Sequence, residues 1–370
     1  MQKQEIKKTI PRGILLNPGP ATTSARVKSA LIVEDICPRE KSFGDLFRKV
    51  RRDAVELIHG GADYTSILLT SSGTGAMEAC LGSAVPAGKK VLVLENGAYG
   101  KRMKEICKAL GVDFLALDAA WGDPIDLLAV ESMLKENKEE VGALAFIHHE
   151  TTVGILNPLA ELCEIARNFS LVTIVDAMSS YAGIPIDLRK TPVDYLLSSS
   201  NKCIQGMAGI GIVIAKKTRL EEISRQPSRG YYFNLAKNFE AQEKYGESWF
   251  TPPAQVVYAL HEAFAEIREE GPESRYARYQ ALYRQMLVGM RALGFKTLVA
   301  DEHHSGILTA FIEPNGFDFT AYHAFLFERG ITVYPGKGAK EKTFRISNLG
   351  DLQPSDIELF LKVTAEFLRS

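Results

Sequence analysis

Leu196-Leu197-Ser198-Ser199-Ser200-Asn201-Lys202 is the stretch on which the reading of this chain turns. An apolar run gives way to small hydroxylic residues and then to a lysine, as at a buried strand that ends in a loop. Upstream, Leu171-Val172-Thr173-Ile174-Val175 has the same form and ends at Asp176. Comparable runs occur at Ser66–Thr70, Val91–Leu94, Phe114–Leu117, Ala143–Ile147 and Ile210–Ile214, with helical patterns between several of them, as at Ala76–Leu81, Tyr99–Leu110 and Leu159–Asn168. Most runs are continuously apolar instead of alternating, which predicts strands covered by helices on both faces. The expected fold class is therefore α/β, with a mostly parallel sheet whose loops gather at the carboxyl ends of the strands, where such proteins place ligands.

The pattern changes after about residue 253. Two long helical stretches, Ala254–Glu269 and Ser274–Leu293, precede what reads as a smaller α+β unit, with strands near Gly306–Ile312, Ile331–Val333 and Thr343–Ser347. Its closing helix is expected to start with a capping box formed by Ser355 and Glu358, and to line one face with Ile357, Leu361 and Leu368. The expected organisation is a segment 1–22 joining the small domain, a large domain 23–253 and a small domain 254–370.

Composition narrows the class of function. Of 370 residues, 46% are hydrophobic and 24% charged, with a net charge of −1, which favours neither nucleic acid nor an anionic membrane as partner. No apolar run has the length of a membrane span, and Met1–Lys8 lacks the apolar core of a secretory signal. Cys37, Cys80, Cys107, Cys163 and Cys203 are odd in number and unpaired in spacing, and read as reduced thiols of a cytoplasmic protein. His148 and His149 are adjacent and share no face, so no metal is expected.

A lysine at one strand mouth and a carboxylate at another suit pyridoxal 5'-phosphate (PLP). The lysine carries the cofactor covalently, and the aspartate keeps the pyridine nitrogen protonated so that the ring accepts electrons. Alone, Asp176 reads as a turn residue and Lys202 as a solvated surface group; the pair carries the inference. Ser72-Gly73-Thr74-Gly75 lies between a strand and a helix, where free amides and hydroxyls suit a phosphate monoester. It is no P-loop, since no Lys-Ser/Thr follows, and no GxGxxG, since Glu78 occupies the last glycine position. Tyr99 suits stacking on a flat ring or, equally by position, packing on the core as a helix-start aromatic; Glu150-Thr151-Thr152, at the next strand end, brings threonine hydroxyls to a ring oxygen or is a plain polar loop; and Arg345 suits a carboxylate or phosphonate, though alone it reads as a surface arginine.

Together these motifs resemble the class V, fold-type I PLP-dependent aminotransferases, nearly end to end. The resemblance is carried by Leu16-Asn17-Pro18-Gly19-Pro20-Ala21-Thr22-Thr23, Ser72-Gly73-Thr74, His149-Glu150-Thr151-Thr152-Val153-Gly154-Ile155-Leu156-Asn157-Pro158, Val175-Asp176-Ala177-Met178-Ser179-Ser180, Ser200-Asn201-Lys202-Cys203-Ile204-Gln205-Gly206 and Phe344-Arg345-Ile346. It implies that Lys202 carries PLP and Asp176 pairs with its ring nitrogen, that Ser72, Gly73 and Thr74 hold the phosphate, that Tyr99 stacks on the ring and that Thr151 lines it. It also implies that Arg345 binds the substrate acid group, that the Pro18-Gly19-Pro20 loop borders the substrate, and that the protein is a homodimer in which Thr251 reaches the other copy's phosphate. Within the class the likeness is to the phosphonate branch, implying amino transfer between 2-aminoethylphosphonate and pyruvate. The alternative is a sibling enzyme using alanine or serine with glyoxylate or pyruvate. A lyase of the desulfurase type is disfavoured because Cys203 beside the lysine is not on a mobile loop, and a dehydrogenase because GxGxxG is missing. Val33–Glu40 and Thr74-Gly75 depart from the pattern of the catabolic enzymes of that branch; the former lies near the expected substrate entrance and leaves open an enzyme that aminates phosphonoacetaldehyde in phosphonate synthesis instead of breakdown.

Overall fold

The computed structural model describes residues 10–338 and 341–370; Met1–Lys8, read above for a targeting signal, lies outside them. A seven-stranded sheet organises the larger part. In chain order its strands are β1 (Tyr64–Thr70), β2 (Lys90–Glu95), β3 (Phe114–Asp118), β4 (Val141–Ile147), β5 (Val172–Asp176), β6 (Tyr195–Ser199) and β7 (Ile210–Lys216), and in space they run β1-β7-β6-β5-β4-β2-β3. The pairs β2/β3, β2/β4, β4/β5 and β5/β6 are parallel, whereas β7 runs antiparallel to both neighbours, β6 and β1. Six strands thus share one direction and deliver their carboxyl ends, including Thr70, Glu95, Ile147, Asp176 and Ser199, to one edge.

Helices cover both faces, so the strand residues are buried on each side, matching their unbroken apolar character. The helix Gly73–Ala84 is buried nearly all round. The helix Ala98–Leu110 buries Met103, Ile106 and Cys107 and ends at Gly111 in the left-handed conformation (φ 62°) that closes a helix at low steric cost. On the outer side of β1, the side-chain amide of Gln242 takes the place of a neighbouring strand: its Oε1 accepts from Leu68 N at 3.0 Å and its Nε2 donates to Leu68 O at 2.7 Å.

The smaller sheet is four-stranded, in the order Lys296–Thr297, Leu308–Ile312, Thr343–Ser347, Tyr334–Pro335, with all pairs antiparallel. An aromatic core of Phe295, Phe311, Phe317, Tyr322, Phe344 and Phe367 packs beside it, mostly edge to face. Ile14–Leu15 pairs in parallel with Ile331–Thr332, and Leu16 joins the same core. Beyond it the chain crosses to the larger sheet, where Ala21 N donates to Asn201 O at 2.9 Å.

Several local expectations are corrected. The closing helix is Pro354–Phe367, capped by Gln353 and Asp356 instead of Ser355 and Glu358. Pro354 has no N–H to satisfy and occupies the first helical turn, so the cap falls on the residue before it. That helix buries Ile357, Phe360, Val363 and Thr364, while Leu361 is half-buried and Leu368 exposed. The strand expected over Ile331–Val333 is two short pieces, Ile331–Thr332 and Tyr334–Pro335, in different sheets, and the one expected from Gly306 begins at Leu308. The helix Lys41–Glu56, which the motif reading passed over, packs on β1 and on the helix Ala254–Glu270.

Candidate active site

Asp176 closes β5 and is buried. Its Oδ1 accepts from Met178 N at 2.8 Å, and no group among the described residues bonds Oδ2. Burial pushes this carboxyl up to about 7, with the Glu150 carboxylate adding to the rise, while the Met178 amide, Lys202 and Arg102 pull it down. Lys202 lies three residues past β6, in the turn that returns the chain to β7, and keeps a little contact with solvent. Burial brings its ammonium down to about 8; the Asp176 charge opposes that fall, and Arg345 and Arg102 add to it. Each of the two groups therefore lies in the other's field, although they stand 26 positions apart in sequence.

The loop Pro18-Gly19-Pro20 rests directly on the lysine. Lys202 Nζ donates to the Pro18 carbonyl, and a Cβ at Gly19 would fall 2.6 to 2.9 Å from Lys202 Cδ, Nζ and Cε. Gly19 also has φ 120°, so both space and backbone exclude a side chain here.

Ser72, Gly73 and Thr74 open the helix Gly73–Ala84. The side chain of Ser72 makes no capping bond, and the first amides of the helix have no partner within it. A Cβ at Gly73 would come within 2.2 Å of Met178 Sδ, so the helix start is pressed against the loop that follows Asp176. Thr74 Oγ1 accepts from Arg102 Nη1 at 3.1 Å.

Tyr99 is in the first turn of the helix Ala98–Leu110. Glu150, buried in the two-residue strand His149–Glu150 that follows β4, holds that turn: its Oε2 accepts from Tyr99 N at 3.0 Å and Gly100 N at 3.2 Å, and its Oε1 accepts from Thr152 N at 3.0 Å and Thr152 Oγ1 at 2.6 Å. An anion at a helix start is favourable, and here it orients the aromatic residue. Thr151, also buried, presents its carbonyl to Arg345 Nη1 at 3.3 Å. Arg345 Nε donates to Pro335 O at 3.0 Å, leaving further N–H groups of the guanidinium free to meet an anion. It reaches the large sheet because its strand neighbours Phe344 and Ile346 face the small core, and alternation turns Arg345 the other way.

The structure thus brings together Lys202, Asp176, Gly19, Thr151 and Arg345, and links Thr74 to Tyr99 through Arg102. Thr251 stands apart, exposed, with its carbonyl accepting from Thr70 Oγ1 at 3.4 Å. Arg102 and the anchoring role of Glu150 escaped the sequence reading. For Arg102 the available signal was its position three residues after Tyr99, on the same helix face. His149 also enters the site. It is buried, Nδ1 lies 3.4 Å from Ser179 O, Nε2 has no partner, and burial brings the ring down to about 3, so it is neutral. Among the described residues no group of three His, Cys, Asp or Glu is placed to hold a metal, and no helix is long and apolar enough to cross a membrane. Two surface clefts, of about 400 and 430 Å³, border Asp194 and Ile184 and contain none of these residues.

The donor set fits PLP. A buried carboxylate has one oxygen without a protein partner, a lysine has a lowered proton affinity, and a helix start is stripped of side-chain bulk at Gly73. A parallel sheet with this trio at its carboxyl edge defines a fold-type I enzyme that uses pyridoxal phosphate. Residues 27–357 match the class-V aminotransferase family, and the chain belongs to it. The chain is similar to a 2-aminoethylphosphonate–pyruvate transaminase of Bacillus cereus, with 39% identity over 95% of this chain and 97% of that protein. It is equally similar, at 39%, to a bifunctional phosphonoacetaldehyde hydrolase/aminoethylphosphonate transaminase of Clostridioides difficile, covering 96% of this chain but only 56% of that longer protein. Its fold is that of the alanine–glyoxylate aminotransferase of Nostoc sp., with a TM-score of 0.91 and 25% identity over 99% of this chain and 98% of that one.

Proposed function

We propose that the chain transfers the amino group of 2-aminoethylphosphonate to pyruvate, giving phosphonoacetaldehyde and L-alanine. The observation that carries this reading is the meeting of Lys202, Asp176 and Arg345 at one sheet edge, in a chain 39% identical to transaminases of that name. Bound PLP supplies an electron-accepting ring that stabilises negative charge on the substrate carbon next to nitrogen. Lys202 anchors the cofactor and, once free, takes the proton from that carbon at Nζ; an amine that titrates near 8 suits both tasks. Asp176, whose Oδ2 has no partner among the described residues, would hold the protonated ring nitrogen, and that positive charge would favour its anionic form. Ser72, Gly73 and Thr74 would hold the phosphate, Tyr99 and Thr151 would line the ring, and Gly19, having no side chain, leaves room for Lys202 beneath the loop that borders the substrate. Arg345 binds the phosphonate of one substrate and the carboxylate of the other through its free N–H groups. The enzyme works as a homodimer, with Thr251 of the partner subunit completing the phosphate site. Its free cysteines suit the cytoplasm.

The test is a half-reaction. Holoenzyme mixed with 2-aminoethylphosphonate should lose its yellow cofactor band, and pyruvate should restore it. Activity confined to α-amino acids such as alanine or serine would refute the phosphonate reading and leave a sibling aminotransferase.

A further inference from the structure

Arg102 stands out among the cations near the site. It is half-buried on the helix Ala98–Leu110, and no carboxylate among the described residues forms an ion pair with it. Lys104, two positions on, is by contrast shared by Glu95 at 2.6 Å and Asp118 at 2.7 Å. The Arg102 guanidinium lies 4.8 Å from the centre of the Tyr99 ring, and its Nη1 donates to Thr74 Oγ1 at 3.1 Å. It therefore touches one residue proposed to hold the cofactor phosphate and one proposed to stack on the ring.

The polarity of the contact with Thr74 matters. A threonine hydroxyl has one proton and two acceptor lone pairs, whereas a guanidinium only donates. With Arg102 donating into Oγ1, the Thr74 proton has to point elsewhere, and the open direction at a helix start is toward an anion at the free amides. A hydroxyl that accepts from a cation is also a stronger donor.

We propose that Arg102 is a positioning residue for the cofactor phosphate: it turns Thr74 into an obligate donor, supplies a positive charge beside the helix start, and backs the Tyr99 ring. This rests on the PLP reading of the site. It predicts a phosphate-specific effect, since a guanidinium that only propped up Tyr99 would act on the ring and the phosphate alike.

The test titrates cofactor-free protein with PLP and, separately, with pyridoxal, which has the ring and aldehyde but no phosphate. Arg102→Leu should weaken PLP binding by about 10- to 150-fold, the range of one charge-assisted hydrogen bond, and leave pyridoxal binding within about two-fold. Arg102→Lys, which keeps the charge without the planar fork, should fall between. Thr74→Val should weaken PLP alone, and the double variant should lose less than the product of the two single losses. Equal weakening of PLP and pyridoxal, unchanged PLP affinity, or strictly multiplicative losses would each overturn the proposal. If Arg102→Leu fails to fold, Arg102→Lys and Thr74→Val decide by the same two titrations. Wild-type protein that took up neither ligand would overturn the PLP reading itself, whereas normal uptake by wild type and Arg102→Leu alike would overturn only the role of Arg102.

Discussion

Replacing Asp176 by Asn should make the cofactor-free protein more stable, and increasingly so as the pH rises. The native carboxyl titrates at about 7 against an ordinary 3.8, with burial as the main cause. Between those values the native chain retains a proton that the unfolded chain has released. Stability therefore falls with rising pH across that window, by about 1.4 kcal/mol per pH unit. The full cost, about 4 kcal/mol, is in place above pH ~7 and absent below pH ~4. Asparagine has the same shape, can still accept from Met178 N through Oδ1, and carries no charge. Urea unfolding of cofactor-free wild type and Asp176→Asn at pH values from about 5 to 8 should show curves that diverge toward alkaline pH, the variant above. Added PLP should reverse the order, because a ligand that binds only the native state stabilises in proportion to its affinity, and Asn offers no anion to a pyridinium. A difference independent of pH, or a wild type at least as stable as the variant at pH ~8 without cofactor, would refute the view that Asp176 is held in the site at the expense of stability.

Other outcomes follow from the same geometry. The rate at which cofactor-free protein captures PLP covalently should rise with pH and level off above about 8, because the deprotonated amine is the nucleophile and burial lowers Lys202 to that value; a rise continuing to pH ~10 in stopped-flow absorbance would contradict this. Gly97→Ala should weaken PLP binding and cost about 1–3 kcal/mol in chemical denaturation, since the added Cβ would fall 2.3 Å from Glu150 Cγ and 2.4 Å from its Cδ, displacing the carboxylate that holds Tyr99. Gln242→Leu should cost about 3 kcal/mol by leaving Leu68 N and O on β1 unbonded, while the KM for substrate stays close to that of the wild type.

Much of the site was legible in the linear chain because each part sits at a punctuation mark. Asp176 and Lys202 follow apolar strands, and Ser72-Gly73-Thr74 lies between a strand and a helix, so the strand pattern alone assigns them to the carboxyl edge of a parallel sheet. Strand limits in the smaller sheet were less legible. Its pieces are two to five residues long, too short for periodicity to separate one strand from two.

The linear chain already carried the functional groups: an amine, a carboxylate, a helix start with free amides and a guanidinium, each tied to a local element by hydrophobic spacing. How these groups act on one another follows from the folded arrangement alone. The lowered ammonium of Lys202 and the raised carboxyl of Asp176 come from shared burial between segments remote in the chain. The Glu150 clamp on Tyr99 and the bond from Arg102 to Thr74 each cross between separate elements of the fold. Desolvation and hydrogen-bond polarity depend on distance in space, and no spacing along the chain encodes it.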